Sequence, residues 1–459
     1  MSRYQLALHI FRRDLRVEDN TALYYALRNA KKVIPCFIFD KRQVKNNSYQ
    51  SMNAVQFMVA SIKDLSQQLK LLDGKLYLFY GIAEEVIEQL CQKLPIDLIT
   101  INRDYTPFSL RRDSNIQKIA KKYEVICYQL GDALLQEPEE VSKSDGTPYT
   151  VFTPFFKKAS QLPVRMPVTT QGNHYAHLVI PEAKEESFLA SIVPFPNPTI
   201  LLQGGSQEAN RLLEKVTELV DYARLRDYPR EQYTSLLSAH HKFGTIPIRK
   251  TYHVLRKHFG SNHRMIVELY WRDFFTHIAY HYPHVWGHAF QKKYDKIPWK
   301  QDQVAFQAWC QGTTGFPIVD AGMRELNTTG YMHNRVRMIT ASFLVKDLHI
   351  DWKWGERYFA QQLTDYDPAV NNGNWQWAAS TGCDAQPYFR IFNPWRQQLR
   401  FDPEAVYIKK WVPELRDLTA NVIHSLLIKQ AVQANNYPSP IVDHQQAAKE
   451  AKEIFKEVL

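Results

Sequence analysis

Nowhere in the 459 residues does an apolar run approach the roughly 20 that a membrane span requires. The opening, MSRYQLALHIFRRDLR, puts charges where a secretory leader has its apolar centre, so a cytoplasmic protein with no membrane anchor is expected. Cysteine is sparse and poorly spaced. Cys36, Cys91, Cys127, Cys310 and Cys383 make an odd set with no CxxC pair, which argues against a disulfide framework or a structural zinc and for reduced, packed thiols. No GxGxxG or GKS/T loop follows the first apolar run, so neither a dinucleotide fingerprint nor a P-loop is supported. HExxH and GxSxG are absent as well. His281, His284 and His288 are close in sequence but lack a neighbouring carboxylate motif, and no metal is expected there. Internal repeats and low-complexity tracts are missing.

What is present is ample core and an excess of positive charge. Hydrophobic residues make up 45% of the chain, enough for two or three domains. The formal net charge of +10 suits a polyanionic partner, yet equally suits a protein that merely avoids self-association. Through residue 130, short apolar runs (LALHIF, VIPCFIF, KLYLFY, IDLITI, EVICY) alternate with amphipathic stretches such as Ala54 to Leu72 and Ala83 to Leu94. That alternation predicts an α/β domain over 1–130 with a mainly parallel sheet. Nine prolines then interrupt 131–205, which reads as a connector wrapped along the surface. From 206 to 459 the periodicity is helical, predicting one large all-α domain. A monomer without an obligate protein partner is the expectation.

Four clusters in the helical part carry chemistry. Tyr233 to Ser238 reads YTSLLS, whose hydroxyls at Thr234, Ser235 and Ser238 suit either phosphate oxygens or a plain helix cap. In HRMIVELYWRDFF, Glu268, Trp271, Arg272 and Phe275 recur every three or four residues. They share a helix face that could bond and stack a base, or that could simply hold a Glu268 to Arg272 pair. Asn334 and Met338 stand one turn apart around Arg335, whose planar fork suits a phosphate, although such an amide and thioether also serve as interior filler. Lastly, NNGNWQW sets Asn371 and Asn372 just ahead of Trp375 and Trp377. Amides beside large rings suggest an aromatic ligand more than a core.

The tract from Tyr331 to Pro394, with HNRVRMITASFLVKDL and LTDYDPAVNNGNWQW inside it, resembles the flavin and lesion site of class I cyclobutane pyrimidine dimer photolyases, of the photolyase/cryptochrome family. The resemblance implies an FAD in the helical domain, held by Tyr222, by Thr234, Ser235, Leu236, Leu237 and Ser238, by Arg272, and by Asp365, Tyr366, Asp367 and Asn371. Leu236 departs from the family, where many relatives carry a basic residue. Glu268, Asn371, Met338 and Trp377 take catalytic positions by the same likeness. Trp375, Trp352 and Trp299 match an electron-hopping chain from the flavin to the surface. Arg226, Glu268, Trp271, Arg272, Phe275, Asn334, Arg335, Trp377 and Gln397 match contacts to damaged DNA. Asn371 would face flavin N5, and a neutral amide there favours a stable anionic reduced flavin, whereas a carboxylate would be a proton source.

The function so implied is light-driven splitting of a flipped-out dimer in ultraviolet-damaged DNA by an electron from excited, reduced FAD. An antenna pigment is expected near Asn102 to Asp113, methenyltetrahydrofolate in preference to a deazaflavin. The first rival is a cryptochrome-type blue-light receptor, against which Asn371, Met338 and Trp377 argue. A non-catalytic basic nucleic-acid-binding module is the second rival; a colourless purified protein would revive it.

Overall fold

Five strands form one all-parallel sheet in the order β3-β2-β1-β4-β5: β1 (Tyr4–Phe11), β2 (Ala30–Asp40), β3 (Tyr77–Gly81), β4 (Leu98–Asn102) and β5 (Ile126–Leu130). This computed structural model describes residues 3–45, 47–169, 172–425 and 436–458. The central strands are buried on both faces, which explains why β1, β2 and β4 read as nearly unbroken apolar runs and not as alternating ones. All five expected strands form, and the helices between them are α1 (Thr21–Asn29), α2 (Met52–Leu71), α3 (Ala83–Lys93) and α4 (Pro107–Lys122). Their starts are fixed by side-chain caps. Asn20 accepts from the Leu23 amide, Ser51 from Ala54 and Thr106 from Ser109, each satisfying an otherwise orphaned N–H.

The chain divides into two compact units, the first holding Met1–Asn197, Leu202–Glu218 and Ser235–His281, the second holding Pro198–Leu201, Leu219–Thr234 and Tyr282–Leu459. The expected connector is therefore no unit of its own, and α5 (Arg264–His281) is grouped with the sheet, not with the helices that follow it. Packing explains the first point. The connector laces onto the sheet margin, with the Lys184 amide donating to Leu78 O of β3 at 2.7 Å and the Ala176 amide to Val33 O of β2 at 2.8 Å. A buried ionic knot secures the same unit. Arg249 reaches Asp19 and Asp132, both at 2.8 Å, and Arg16 reaches Asp132 at 2.7 Å. Burial alone would raise the Asp132 carboxyl, but the two guanidiniums and the Thr21 hydroxyl hold it below its usual range.

In the second unit, α6 (Pro317–Thr329), α7 (Asn334–Ser342), α8 (Trp352–Gln362), α9 (Pro368–Ala379), α10 (Pro394–Phe401) and α11 (His444–Glu457) enclose a core that includes Trp309, Phe316, Leu344, Trp352, Phe359 and Trp375. Between Pro317 and Leu348 the helical periodicity is broken twice. Gly330, left-handed at φ 68°, ends α6, and Phe343–Asp347 continues α7 as a π-type turn. No described helix is long and apolar enough to cross a membrane.

Candidate functional site

Within the first unit, α5 presents the residues singled out from HRMIVELYWRDFF. Trp271 stacks face to face on Phe152, ring centroids 3.6 Å apart and 6° from parallel, and lies 5.5 Å from Phe275. One face of the indole is thus already covered, and Phe275 is buried behind it. Beside the Glu268 to Arg272 pair suggested by the sequence, Glu268 has a second cation one turn earlier and bridges to Arg264 at 3.0 Å. Arg272 donates to the carbonyls of Ala133 at 2.5 Å and His241 at 3.3 Å. Next to it, Asp273 accepts from the amides of Leu135 and Gln136. Burial pushes this carboxyl up to about 7 against the downward pull of Arg272 and those amides. Of the hydroxyl run, Ser235 accepts from the Leu237 amide at 3.4 Å, and Leu236 sits in the left-handed region at φ 54°, leading into the short helix Ser238–Phe243.

The second unit carries the amides and the remaining tryptophans. Asp365 is gripped through both oxygens by Arg337, at 3.1 and 2.9 Å, and Arg337 also donates to Met332 O at 2.7 Å. Burial works against that guanidinium, yet Asp365 outweighs it and raises its pKa. Asp367 caps α9 by accepting from the amides of Ala369 and Val370. One turn later, Asn371 donates its amide hydrogen to the Glu356 carbonyl at 3.0 Å, and Asn372 donates to the Glu356 carboxyl at 2.9 Å. Both amides are buried, as is Glu356, whose carboxyl is driven by burial up to about 7 even though Asn372 pulls it down.

Asn334 and Met338 face each other one turn apart, Nδ2 to Sδ 3.9 Å, as their spacing implied. His333 caps the same helix, accepting from the Arg335 amide, and burial drops its own pKa to about 4. Arg335 turns to Asp227 at 2.9 Å and lies over the Phe401 ring at 4.3 Å, so its fork is held by a carboxylate, while Arg226 lies 5.3 Å over Tyr222 and 3.8 Å from Asp227. Tyr331 bonds Thr234. Gln397 on α10 keeps a buried, unpartnered Oε1.

Trp375 is buried edge-on to Phe359 at 4.9 Å and to Trp309 at 6.1 Å. The ring lies close over Gly355, where an added Cβ would come 2.1 Å from Trp375 Cη2. Gly355 stands three residues after Trp352 on α8, so Trp375 seats on the helix face that Trp352 begins. Trp299 is partly buried against the same core.

Sequence reading missed Arg337, Glu356, Asp227, Phe152 and Gly355. Only Arg337 left a usable trace, since a guanidinium set between Val336 and Met338–Ile339 calls for a carboxylate partner. Among the described residues, no group of three or more His, Cys, Asp or Glu is placed to hold a metal ion.

The donor set suits a flavin dinucleotide: buried amides beside rings for a heteroaromatic system, a part-buried Arg337–Asp365 pair, and hydroxyls with backbone N–H groups for anionic oxygens. Comparison agrees. Residues 265–457 match the profile of the FAD binding domain of DNA photolyase, and residues 7–170 match that of DNA photolyase. These assignments make the helical part a flavoprotein domain. A deoxyribodipyrimidine photo-lyase of Alkalihalophilus pseudofirmus is 37% identical over 97% of both chains. Among solved structures, an archaeal photolyase from Sulfolobus tokodaii, which holds two FAD molecules, is 44% identical with a TM-score of 0.91 over 99% of this chain and 100% of that one. A bacterial class III photolyase from Agrobacterium tumefaciens is 33% identical with a TM-score of 0.92, over 100% and 98%. The chain belongs to the DNA photolyase family.

Proposed function

We propose that this chain is a photo-lyase that uses light to split cyclobutane pyrimidine dimers in ultraviolet-damaged DNA, with FAD in the helical part. The observation carrying the reading is Asn371, an amide and not a carboxylate, anchored through its N–H to the Glu356 carbonyl so that its own oxygen is left as an acceptor. Bound FAD would supply a light-excited one-electron donor that no side chain can provide.

The residues do the rest. Asp365, locked by Arg337, together with Tyr222, Thr234, Tyr366 and Asp367, holds the cofactor in the second unit. Ser235 to Ser238 and Arg272 are the remaining positions that the family resemblance assigns to the cofactor. Glu268 hydrogen-bonds the pyrimidine imides and stabilises negative charge on the dimer, which is charge stabilisation in a pocket sheltered from water. Trp271, Phe275, Asn334, Met338 and Trp377 border the extruded bases. Arg226, Arg335 and Gln397 hold the strand, with phosphate displacing Asp227 from Arg335, a sequence-independent and salt-sensitive contribution. Trp375, Trp352 and Trp299 restore the reduced cofactor. Class I is the branch that the Asn334, Met338 and Trp377 set favours. For the antenna, methenyltetrahydrofolate is the first reading. A second flavin competes with it because the Sulfolobus relative holds two FAD molecules, and mass spectrometry of the released chromophores separates the two.

The test is illumination of the reduced, flavin-loaded protein with a dimer-containing oligonucleotide. Restored thymines support the proposal. Intact dimers beside bound, reduced flavin would overturn it in favour of a light receptor.

A further inference from the structure

One phenyl ring in the second unit gathers an unusual set of neighbours. Phe455, buried on α11, is met edge-on by Trp299 with centroids 6.2 Å apart at 78°, lies parallel to Tyr388 at 6.0 Å and 8°, and is tilted against Tyr294 at 5.9 Å and 55°. Two phenols therefore share a packing partner with the tryptophan that the proposed relay places outermost. Beneath the same ring, the Lys346 Nζ lies 3.5 Å from the centroid, inside the π-type turn. That amine is fully buried, and burial lowers its pKa well below the usual value, so it adds little positive charge that would oppose a hole on the neighbouring ring.

From this arrangement we infer that Tyr388 extends the relay by one step and is its terminal electron donor. The inference rests on the reading of Trp299 as the outer tryptophan. The step balances. The oxidant is the hole that light sends from the flavin through Trp375 and Trp352 to Trp299. Oxidised Trp299 takes one electron from the Tyr388 phenol, Trp299 returns to its closed-shell form, and the phenolic proton passes to water, leaving a neutral tyrosyl radical. A phenol that is oxidised must release that proton, and this selects between the two tyrosines. Tyr294 is buried at 7% exposure, whereas Tyr388 is only half-buried, in the stretch before α10 where Phe389 and Arg390 are exposed.

What the step would accomplish is separation of charge. A hole left on Trp299 can be refilled along the same tryptophan path from the flavin, and that return of the electron undoes the reduction. Once the proton has gone to solvent, the reverse transfer needs that proton back and is slowed accordingly.

Transient absorption on the full chain carrying oxidised FAD tests this, comparing the unaltered protein with Tyr388→Phe, Tyr294→Phe and Trp375→Phe. The exchange of Tyr for Phe keeps both ring contacts and removes one hydroxyl, and flavin retention confirms that each variant is folded. The expected result is a tryptophanyl signal that decays into the narrow violet band of a neutral tyrosyl radical, lost in Tyr388→Phe together with a longer-lived tryptophanyl signal, and kept in Tyr294→Phe. A tyrosyl band that persists in Tyr388→Phe, or a tryptophanyl signal with no tyrosyl successor in the unaltered protein, would overturn the assignment of Tyr388 while leaving the tryptophan relay intact. Absence of any tryptophanyl signal in the unaltered protein would overturn the relay itself and this step with it. Trp375→Phe, expected to abolish both signals, ties them to the flavin.

Discussion

Replacing Glu356 by Gln should make the protein more stable at neutral and alkaline pH and leave it nearly unchanged in mild acid. The carboxyl sits inside the second unit beside Asn371 and Asn372, and burial raises its pKa from 4.5 to about 7. A raised carboxyl contributes stability that is fully present below the unfolded value and is lost as pH climbs through the folded one. Below pH 4.5 both states are protonated and nothing is lost; between 4.5 and about 7 the unfolded chain ionises first; above about 7 the folded state carries a buried anion. A difference of some 2.5 pKa units at about 1.4 kcal/mol each gives a penalty of about 3 kcal/mol in the alkaline limit. Gln keeps the shape and the oxygen that accepts from Asn372, and it has no proton to lose. Asp273 and Asp347, raised to about 7 and about 6, titrate over the same range in both proteins and cancel in the comparison. Urea midpoints measured from about pH 5 to about pH 8 should therefore diverge, the variant gaining as pH rises. A variant-minus-parent difference that stays flat across that range would show that Glu356 does not ionise inside the fold, and the reasoning would fail.

Gly355→Ala sets a methyl group 2.1 Å from Trp375 Cη2 and should destabilise by about 1–3 kcal/mol through overpacking. The shift of the indole should appear as altered tryptophan emission and slower light-driven flavin reduction. Arg249→Ala strips one of two guanidiniums from Asp132 and removes the guanidinium that pairs with Asp19, leaving buried carboxylates under-compensated; a loss of about 3–5 kcal/mol is expected in thermal or urea unfolding. Asp365→Asn replaces the two-oxygen grip on Arg337 with a neutral contact, and the purified protein should carry less FAD per chain, read directly from its visible absorption.

The sheet was legible because β1, β2 and β4 are buried on both faces and so spell themselves out as short apolar, β-branched and aromatic runs between capping residues. Choice among equivalent partners was not legible. Arg264, Glu268 and Arg272 are spaced by four, and helix statistics favour an acid placed before its base, hence Glu268 with Arg272. Spacing could not reveal the tertiary contacts, in which the Ala133 and His241 carbonyls accept from Arg272 while Glu268 bridges to Arg264. The turn at Phe343–Asp347 left no mark either, since none of its residues is a Gly or Pro that would break a helix and only the burial of Lys346 and Asp347 distinguishes it. In the candidate site, residue types were readable and pairings were not. Asp365 was named without Arg337, Asn371 without Glu356, and Arg335 without Asp227, because each pair joins segments whose approach depends on the folded core.

The lacing of Tyr175 to Lys184 onto β2 and β3 has a consequence for the crowded cell. A bare strand at the border of a parallel sheet offers a row of hydrogen-bonding groups on which a second molecule can template itself. Here the least regular, proline-laden portion of the polypeptide stops the most regular portion from growing. Clipping that stretch by limited proteolysis should raise the protein's tendency to aggregate while its helices are still folded.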